Sequence, residues 1–427
     1  IPFACCWYGY YAGKIENTFS RRENLLMIGL FMVVYFLFAR VYSAFLVSVN
    51  RISEMVYSQV LAALITDGIS YLVIALLVRG FPNIIPGLMA FAGQIFMSAL
   101  WCFLAHHWYF RAFPPQKTLI VYDIRDGLES LINQYDLERK FHVCEIVQVK
   151  ECLEHLDKLD DMETVFLSGI HSHDRNIILK YCIEKNVRVY VIPRVGDVLM
   201  SGATQVHLFH LPMLRIGRYE PNPEYLFFKR LFDLVMSVTG IVILSPIMLL
   251  TALAIKLYDR GPVFYAQTRL TKDGKEFNVL KFRSMKVNAE QDGVARLSSG
   301  DKDPRITPVG RIIRKCRVDE LPQLFNVLKG DMTLVGPRPE RPSIAAEYEE
   351  EMPEFRLRLQ AKAGLTGYAQ VYGKYNTTPY DKLLMDLMYI SHPSLLEDLL
   401  IMFATVKILF MPESTEGVEE GQITAKK

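Results

Sequence analysis

Residues Phe228–Tyr258 read FKRLFDLVMSVTGIVILSPIMLLTALAIKLY, and how this segment meets a bilayer decides how the chain around it is arranged. Leu234–Tyr258 alone is long enough to cross the roughly 30 Å hydrocarbon core. Three features predict that it enters and returns instead. Ser245-Pro246 stands at its middle, where a proline removes a backbone hydrogen bond and crowds the preceding turn. Lys229 and Arg230 flank one end and Lys256 and Arg260 the other, and positive charge at both ends suits two cytoplasmic ends. A full crossing would also part the chain before the segment from the chain after it. The reading is a re-entrant helix over 228–258, broken at Ser245 and Pro246.

Upstream, charge nearly vanishes. Between Asn24 and Phe110 the only charged residues are Arg40, Arg51, Glu54, Asp67 and Arg79. Three apolar stretches fill this region, about Leu25–Val49, Tyr57–Val78 and Ile84–Phe110, each long enough for a membrane helix. Asp67 lies deep in the second, and is read as a polar contact between packed helices. The opening IPFACCWYGYYAG is read as the tail of a further membrane helix, which would put Ile1 and the chain after Arg111 on one side.

The whole chain has 427 residues and a formal net charge of +2. That balance argues against nucleic acid as a partner, which calls for a strong basic excess. The 51% hydrophobic share excludes a disordered chain. The 7 Cys show no metal-ligand spacing and are read as reduced thiols. In the middle, KTLIVYD, HVCEIVQV, TVFLSGI and VRVYVIP alternate with helical stretches, which predicts a small parallel sheet, Rossmann-like in outline. The first turn, Tyr122-Asp-Ile-Arg-Asp-Gly, lacks the G-x-G-x-x-G loop a dinucleotide needs, so this domain is read as structural or regulatory. His171 and His173 are read as surface residues rather than a metal pair, and Asp160-Asp161 as a solvated turn.

Downstream, two strand patterns flank an Asp273-Gly274 turn, a hairpin signal that sets Lys281 and Arg283 on one strand face. Then Asp303–Pro342 carries Arg305, Arg311, Arg314, Lys315, Arg317, Lys329, Arg338 and Arg341 around one acidic pair, Asp319-Glu320. Arginines grip phosphate oxygens, and paired carboxylates hold a hard divalent cation. DELPQLFNVLKG is read as a short helix with Asp319 as N-cap, anion-binding amides at its start and Gly330 past its end. A plain N-cap among surface ion pairs remains the bland alternative. Thr378-Pro379 opens a helix holding Asp386 and Tyr389, and Ser394-x-x-Glu397 a second that runs to about Met411.

This block resembles the bacterial sugar transferases, the monotopic polyprenyl-phosphate glycosyl-1-phosphate transferases. The motifs are KR-x-x-D (Lys229, Arg230, Asp233), Ser245-Pro246, GPVFYAQ-x-R (Gly261 to Arg269), KFRSM (Lys281 to Met285), DPR-x-T-x-x-GR-x-x-R (Asp303 to Arg314), DELPQL-x-NVLKGDM (Asp319 to Met332), VGPRP (Val335 to Pro339) and GLTG-x-AQV (Gly364 to Val371). The resemblance covers about residues 225–411. It implies a membrane multi-domain protein of the long form that starts exopolysaccharide, capsule or O-antigen assembly. The expected parts are a transmembrane helical bundle over 1–112, a Rossmann-like α/β domain over 113–218, an α+β phosphoglycosyl transferase domain over 219–412 and a disordered tail over 413–427.

The resemblance also implies roles. Asp319 is the nucleophile on the β-phosphorus of a UDP-sugar, and Glu320 completes the dyad and, with Asp319, holds Mg2+. Arg314 and Arg338 match phosphate-gripping positions, with Lys281 and Arg283 as further contacts. Undecaprenyl phosphate is the acceptor, UMP the leaving product, and the cytoplasmic face of the bacterial inner membrane the place. Membrane lipid is a partner, and a homo-oligomer is compatible with the bundle and middle domain. Two positions depart from the family pattern: Arg317-Val318 before the dyad, and Ala363 before GLTG. The rival functions are an inactive membrane scaffold or regulator of polysaccharide export, and a nucleotide-sugar epimerase or dehydrogenase built on the middle domain. The missing glycine loop speaks against the latter.

Overall fold

A computed structural model describes residues 1–15, 19–287, 303, 305–373 and 377–409. The acidic tail expected over 413–427 lies outside the described residues. The chain divides into two units, Ile1–Ile192 and Pro193–Lys427. Among the described residues, four helices are long and apolar enough to cross a membrane: Arg21–Val41, Ile52–Val78, Ile85–Ala112 and Pro223–Asp259. With that many apolar helices, the chain is a membrane protein.

In the first unit, Pro2–Cys6 is helical and runs through tighter and wider turns to Lys14. Ser20 caps the helix Arg21–Val41 in a reciprocal box with Glu23. This helix is shorter than the apolar stretch that encodes it, since Ser43 takes a left-handed backbone and the chain turns through to Asn50. Arg79, also left-handed, closes Ile52–Val78, with the Gly80 amide reaching back to the Ala75 carbonyl. Inside the bundle runs a polar seam of Gln59, Thr66 and Ser70 against Gln94 and Ser98. Asp67 accepts from Gln94 Nε2 at 3.1 Å. Outside, residues such as Leu72, Leu76 and Phe96 are exposed, the arrangement expected of helices solvated by lipid.

The same unit carries a sheet of four parallel strands, β1 (Gln116–Tyr122), β2 (Phe141–Gln148), β3 (Thr164–Ser168) and β4 (Arg188–Val191), in the order β2-β1-β3-β4. Leu119, Val121, Val165 and Leu167 pack with Ile178 and Cys182 of the helix Ser172–Glu184. His171 and His173 are exposed. Asp160 accepts from Tyr181 and Lys185 at the surface.

The second unit begins earlier than the sequence suggested. Residues 193–218, read as the end of the middle domain, belong here. The helix Val195–Ser201 packs Val198 into the C-terminal core beside Leu383 and Leu387. The Ser391 hydroxyl donates to the Val198 carbonyl at 3.2 Å. A hairpin follows, β5 (Thr204–Leu208) with β6 (Leu211–Arg215), and then the long helix Pro223–Asp259.

That helix is continuous through Pro246, so the expected break is not a gap in the helix. The Ser245 hydroxyl donates to the Val242 carbonyl at 2.8 Å. Val242 is the residue whose carbonyl Pro246, lacking an N–H, leaves without its usual donor. One side of the helix packs along the domain over most of its length. Near the start, Asp233 is buried and accepts from the Thr333 hydroxyl and the Leu334 amide at 2.7 and 3.0 Å. Arg230 donates to the Val327 and Leu328 carbonyls, both at 2.7 Å. Near the end, Met248 and Ile255 pack with Phe282 and Ile313. Val242, Ile243, Leu249, Leu250 and Leu257 are left exposed.

The expected hairpin is present as β7 (Phe264–Leu270) and β8 (Glu276–Phe282), with Asp273 and Gly274 both left-handed. The described remainder adds helices and a two-stranded parallel pair, β9 (Thr333–Val335) and β10 (Gly364–Thr366). These strands sit unusually close: a Cβ on Gly364 would fall 2.2 Å from the Gly336 amide nitrogen. Val327, Met332, Leu334, Phe355 and Ile401 complete the core under them.

Candidate active site

The helix Pro308–Lys315 is capped by Thr307, whose hydroxyl accepts from the Gly310 amide at 2.9 Å. Arg317 then turns the chain with a left-handed backbone at φ 53°. Asp319 and Glu320 follow in a single 3-10 turn, Val318–Glu320, and only afterwards does Gln323–Lys329 become α-helical. Asp319 is therefore not the N-cap of that helix. Pro322 stands at the N-cap instead. Gly330 does close it, at φ 95°.

Glu320 gathers the cations. Lys281 Nζ donates to its Oε1 at 2.8 Å, and Arg338 Nη2 stands 3.7 Å from the same oxygen. Lys281 comes from β8, and Asn326 holds that strand in place. Asn326 Oδ1 accepts from the Leu280 amide at 2.9 Å, and its Nδ2 donates to the Asn278 carbonyl at 2.8 Å. Asn326 is buried, so this one amide docks the helix that follows the dyad onto the strand beside Lys281.

Arg338 is held by its backbone. Arg358 Nη2 donates to the Arg338 carbonyl at 2.8 Å and pairs with Asp386 at 2.6 Å. Arg358 and Asp386 are both almost fully buried. Arg269 donates to the Pro339 carbonyl at 3.0 Å and to Gln267 at 2.6 Å. Asn326, Arg358, Asp386 and Arg269 were not among the site residues expected from sequence. Asn326 and Arg269 stood inside quoted motifs, yet only their partners show what they do.

Burial and the neighbouring Glu320 push the Asp319 carboxyl up, while Lys281 and Arg314 pull it back. Burial opposes charge on Glu320 as well, but there Lys281, Arg338 and Arg317 win and hold it well below the usual carboxylate range. The cations thus favour the ionised form of Glu320, while burial and Glu320 together disfavour it on Asp319. Arg314 acts on Asp319 through its charge.

Arg283 behaves differently from Lys281. It is 7% exposed, with Nη1 2.6 Å from Asp259 and Nε donating to the Pro262 carbonyl at 2.7 Å. It clamps the end of the long helix through Asp259, and its described partners do not include the dyad.

A small cleft opens here beside Glu320, lined by Arg269, Lys281, Glu320, Arg338, Leu365 and Gln370. Among the described residues no cluster of three or more metal-ligating side chains occurs. Magnesium does not need one, since it keeps waters and binds through one or two carboxylates together with substrate phosphates. The dyad fits that donor set.

Residues 224–412 match the family described as bacterial sugar transferase. A UDP-N-acetylgalactosamine-undecaprenyl-phosphate N-acetylgalactosaminephosphotransferase of Aeromonas hydrophila is 40% identical over 234 residues, 54% of this chain and 54% of the relative. An undecaprenyl-phosphate glucose phosphotransferase of Komagataeibacter xylinus is 44% identical over 228 residues, 51% of this chain and 42% of the relative. A UDP-glucose:undecaprenyl-phosphate glucose-1-phosphate transferase of Caulobacter vibrioides is 42% identical over 191 residues, 44% of this chain and 71% of the relative. The chain spans about half the length of the first two. The matched segment holds the dyad, Lys281, Arg338 and the buried groups that support them, and on that match this chain belongs to the bacterial sugar transferase family.

Proposed function

We propose that the chain transfers a sugar 1-phosphate from a UDP-sugar to undecaprenyl phosphate at the cytoplasmic face of the membrane. The observation that carries this reading is the acidic pair itself: two adjacent carboxylates in one turn, of which Glu320 is bound by Lys281, faces Arg338 and lines the cleft. The named activities of the relatives support the donor and acceptor classes.

The Asp319 carboxylate attacks the β-phosphorus, the bond from that phosphorus to the bridging oxygen breaks, and UMP leaves with the electron pair. The sugar phosphate remains on Asp319. An oxygen of undecaprenyl phosphate then attacks the same phosphorus and displaces the carboxylate. Two displacements replace one difficult one. Lys281, Arg338 and Arg314 hold the charged oxygens of the phosphoryl group and lower the energy of the charge that builds on them. Mg2+, held by Glu320 and Asp319 with phosphate oxygens, would supply further neutralisation of the diphosphate.

The long helix is read here as re-entrant. Support comes from Arg230 near one end and Asp259 at the other, both bound to the same domain although the helix is about 55 Å long. A domain touching both halves suits a helix that stays on one side. The site would then lie at the interface where a soluble donor meets a lipid acceptor. The four-stranded sheet is read as Rossmann-like, with a structural or regulatory role.

The test is UMP release over a panel of UDP-sugars with undecaprenyl phosphate and Mg2+. Release with at least one sugar, dependent on the lipid for turnover, supports the reading, and release with none contradicts it.

A further inference from the structure

The proposed reaction uses carboxylates and cations, and one buried polar group in the cleft has no part in it. Gln370 lies on the short helix Tyr368–Tyr372 and lines the same cleft as Lys281, Glu320 and Arg338. Its Nε2 donates to the Leu365 carbonyl at 3.4 Å, which orients the amide. Its Oε1 is buried, and no donor among the described residues reaches it. Buried acceptors without a partner are few in native proteins, and each calls for an explanation. The nearby cations do not supply one. Arg269 is bonded to Gln267 and Pro339, and Lys281 and Arg338 face Glu320.

We propose that Gln370 is a specificity-determining residue, its Oε1 accepting a hydrogen bond from an N–H or O–H of the donor beyond the diphosphate. This rests on the UDP-sugar reading above. Lysine and arginine hold the phosphates of any nucleotide sugar alike, so they do not distinguish one donor from another. A positioned neutral acceptor does, because a ligand without a matching donor leaves the amide unpaired. Two groups on a UDP-sugar have the chemistry: the ring N3–H of uracil and a hydroxyl of the sugar.

The test uses the full chain in lipid nanodiscs, as wild type and as Gln370→Met, which keeps length and volume and removes the acceptor. Two ratios are measured. One is inhibition by UDP against inhibition by CDP, since the ring N3 of cytosine carries no hydrogen. The other is kcat/KM among UDP-glucose, UDP-galactose and UDP-N-acetylgalactosamine. The expected result is a change of about tenfold in one ratio, the loss of roughly one hydrogen bond. A collapse of the UDP-to-CDP ratio assigns the contact to uracil, and a collapse of the sugar ratios assigns it to the sugar. Gln370→Glu, which keeps an acceptor oxygen, should retain the affected ratio and separates this role from a folding defect. Unchanged ratios in an active Gln370→Met protein overturn the inference alone. A wild type that releases no UMP from any of the three overturns the functional reading, and this inference with it.

Discussion

Lys281 Nζ sits 2.8 Å from Glu320 Oε1, a strand residue and a turn residue 39 positions apart brought into one charge-assisted contact. Through Glu320 this lysine acts on the dyad as a whole, because it also stabilises the ionised form of Asp319.

Lys281→Met is therefore expected to lower kcat/KM by about 10²–10³, the usual effect of removing one preorganised donor at a charged transition state. Steady-state UMP release, with thermal unfolding as control, checks this. Activity within about threefold of wild type would remove Lys281 from the site.

The same contact sets a pH dependence. Asp319 is raised to about 6 by burial and by Glu320. A nucleophilic carboxylate works above its pKa, so activity should be present above that value and fall as the pH drops through it. Lys281 favours the charged form, so Lys281→Met should move this acid limb to higher pH. A profile of kcat/KM against pH at constant Mg2+ shows it, and an acid limb that moves down would contradict the assignment.

Asn326 should matter for stability more than its neutral side chain suggests. Asn326→Ala leaves the Leu280 amide and the Asn278 carbonyl without their partner, at a cost of about 1–3 kcal/mol. It also frees β8 beside the dyad, so activity should drop along with the thermal midpoint. A stable, fully active Asn326→Ala protein would show that another contact sets the strand.

Arg358 and Asp386 form a buried pair, and removing one partner strands the other. Arg358→Met alone should destabilise by about 3–5 kcal/mol, while Arg358→Met with Asp386→Leu should recover a large part of that loss. A double-mutant cycle in thermal unfolding measures the coupling. Additive losses would contradict a direct pair.

What could be read from the sequence was mostly local. Asp273-Gly274 announced its hairpin because left-handed turn residues leave a signature in two letters, and the long apolar runs announced their helices. The acidic pair amid arginines pointed to the candidate site, where Lys281 and Arg338 do meet Glu320. The Asp319 cap failed: Arg317 takes a left-handed backbone, which nothing in an arginine's composition foretells, and Pro322 stands at the N-cap. Arg283 pairs with Asp259, 24 positions away at the end of the long helix, and the strand pattern alone did not announce that partner. The Val198 contact with Ser391 and the Asn326 bridge to β8 join residues 193 and 46 positions apart, and only the tertiary structure brings them together.

Most direct for the covalent mechanism is a single-turnover experiment without the lipid acceptor. Purified protein is mixed with a UDP-sugar and Mg2+, UMP is counted against enzyme, and the modified peptide is identified by mass. The expected result is a burst of up to one UMP per active site, with a sugar phosphate on the peptide bearing Asp319, both abolished in Asp319→Asn. A modification on any other residue, or full turnover by Asp319→Asn, would contradict a nucleophilic Asp319.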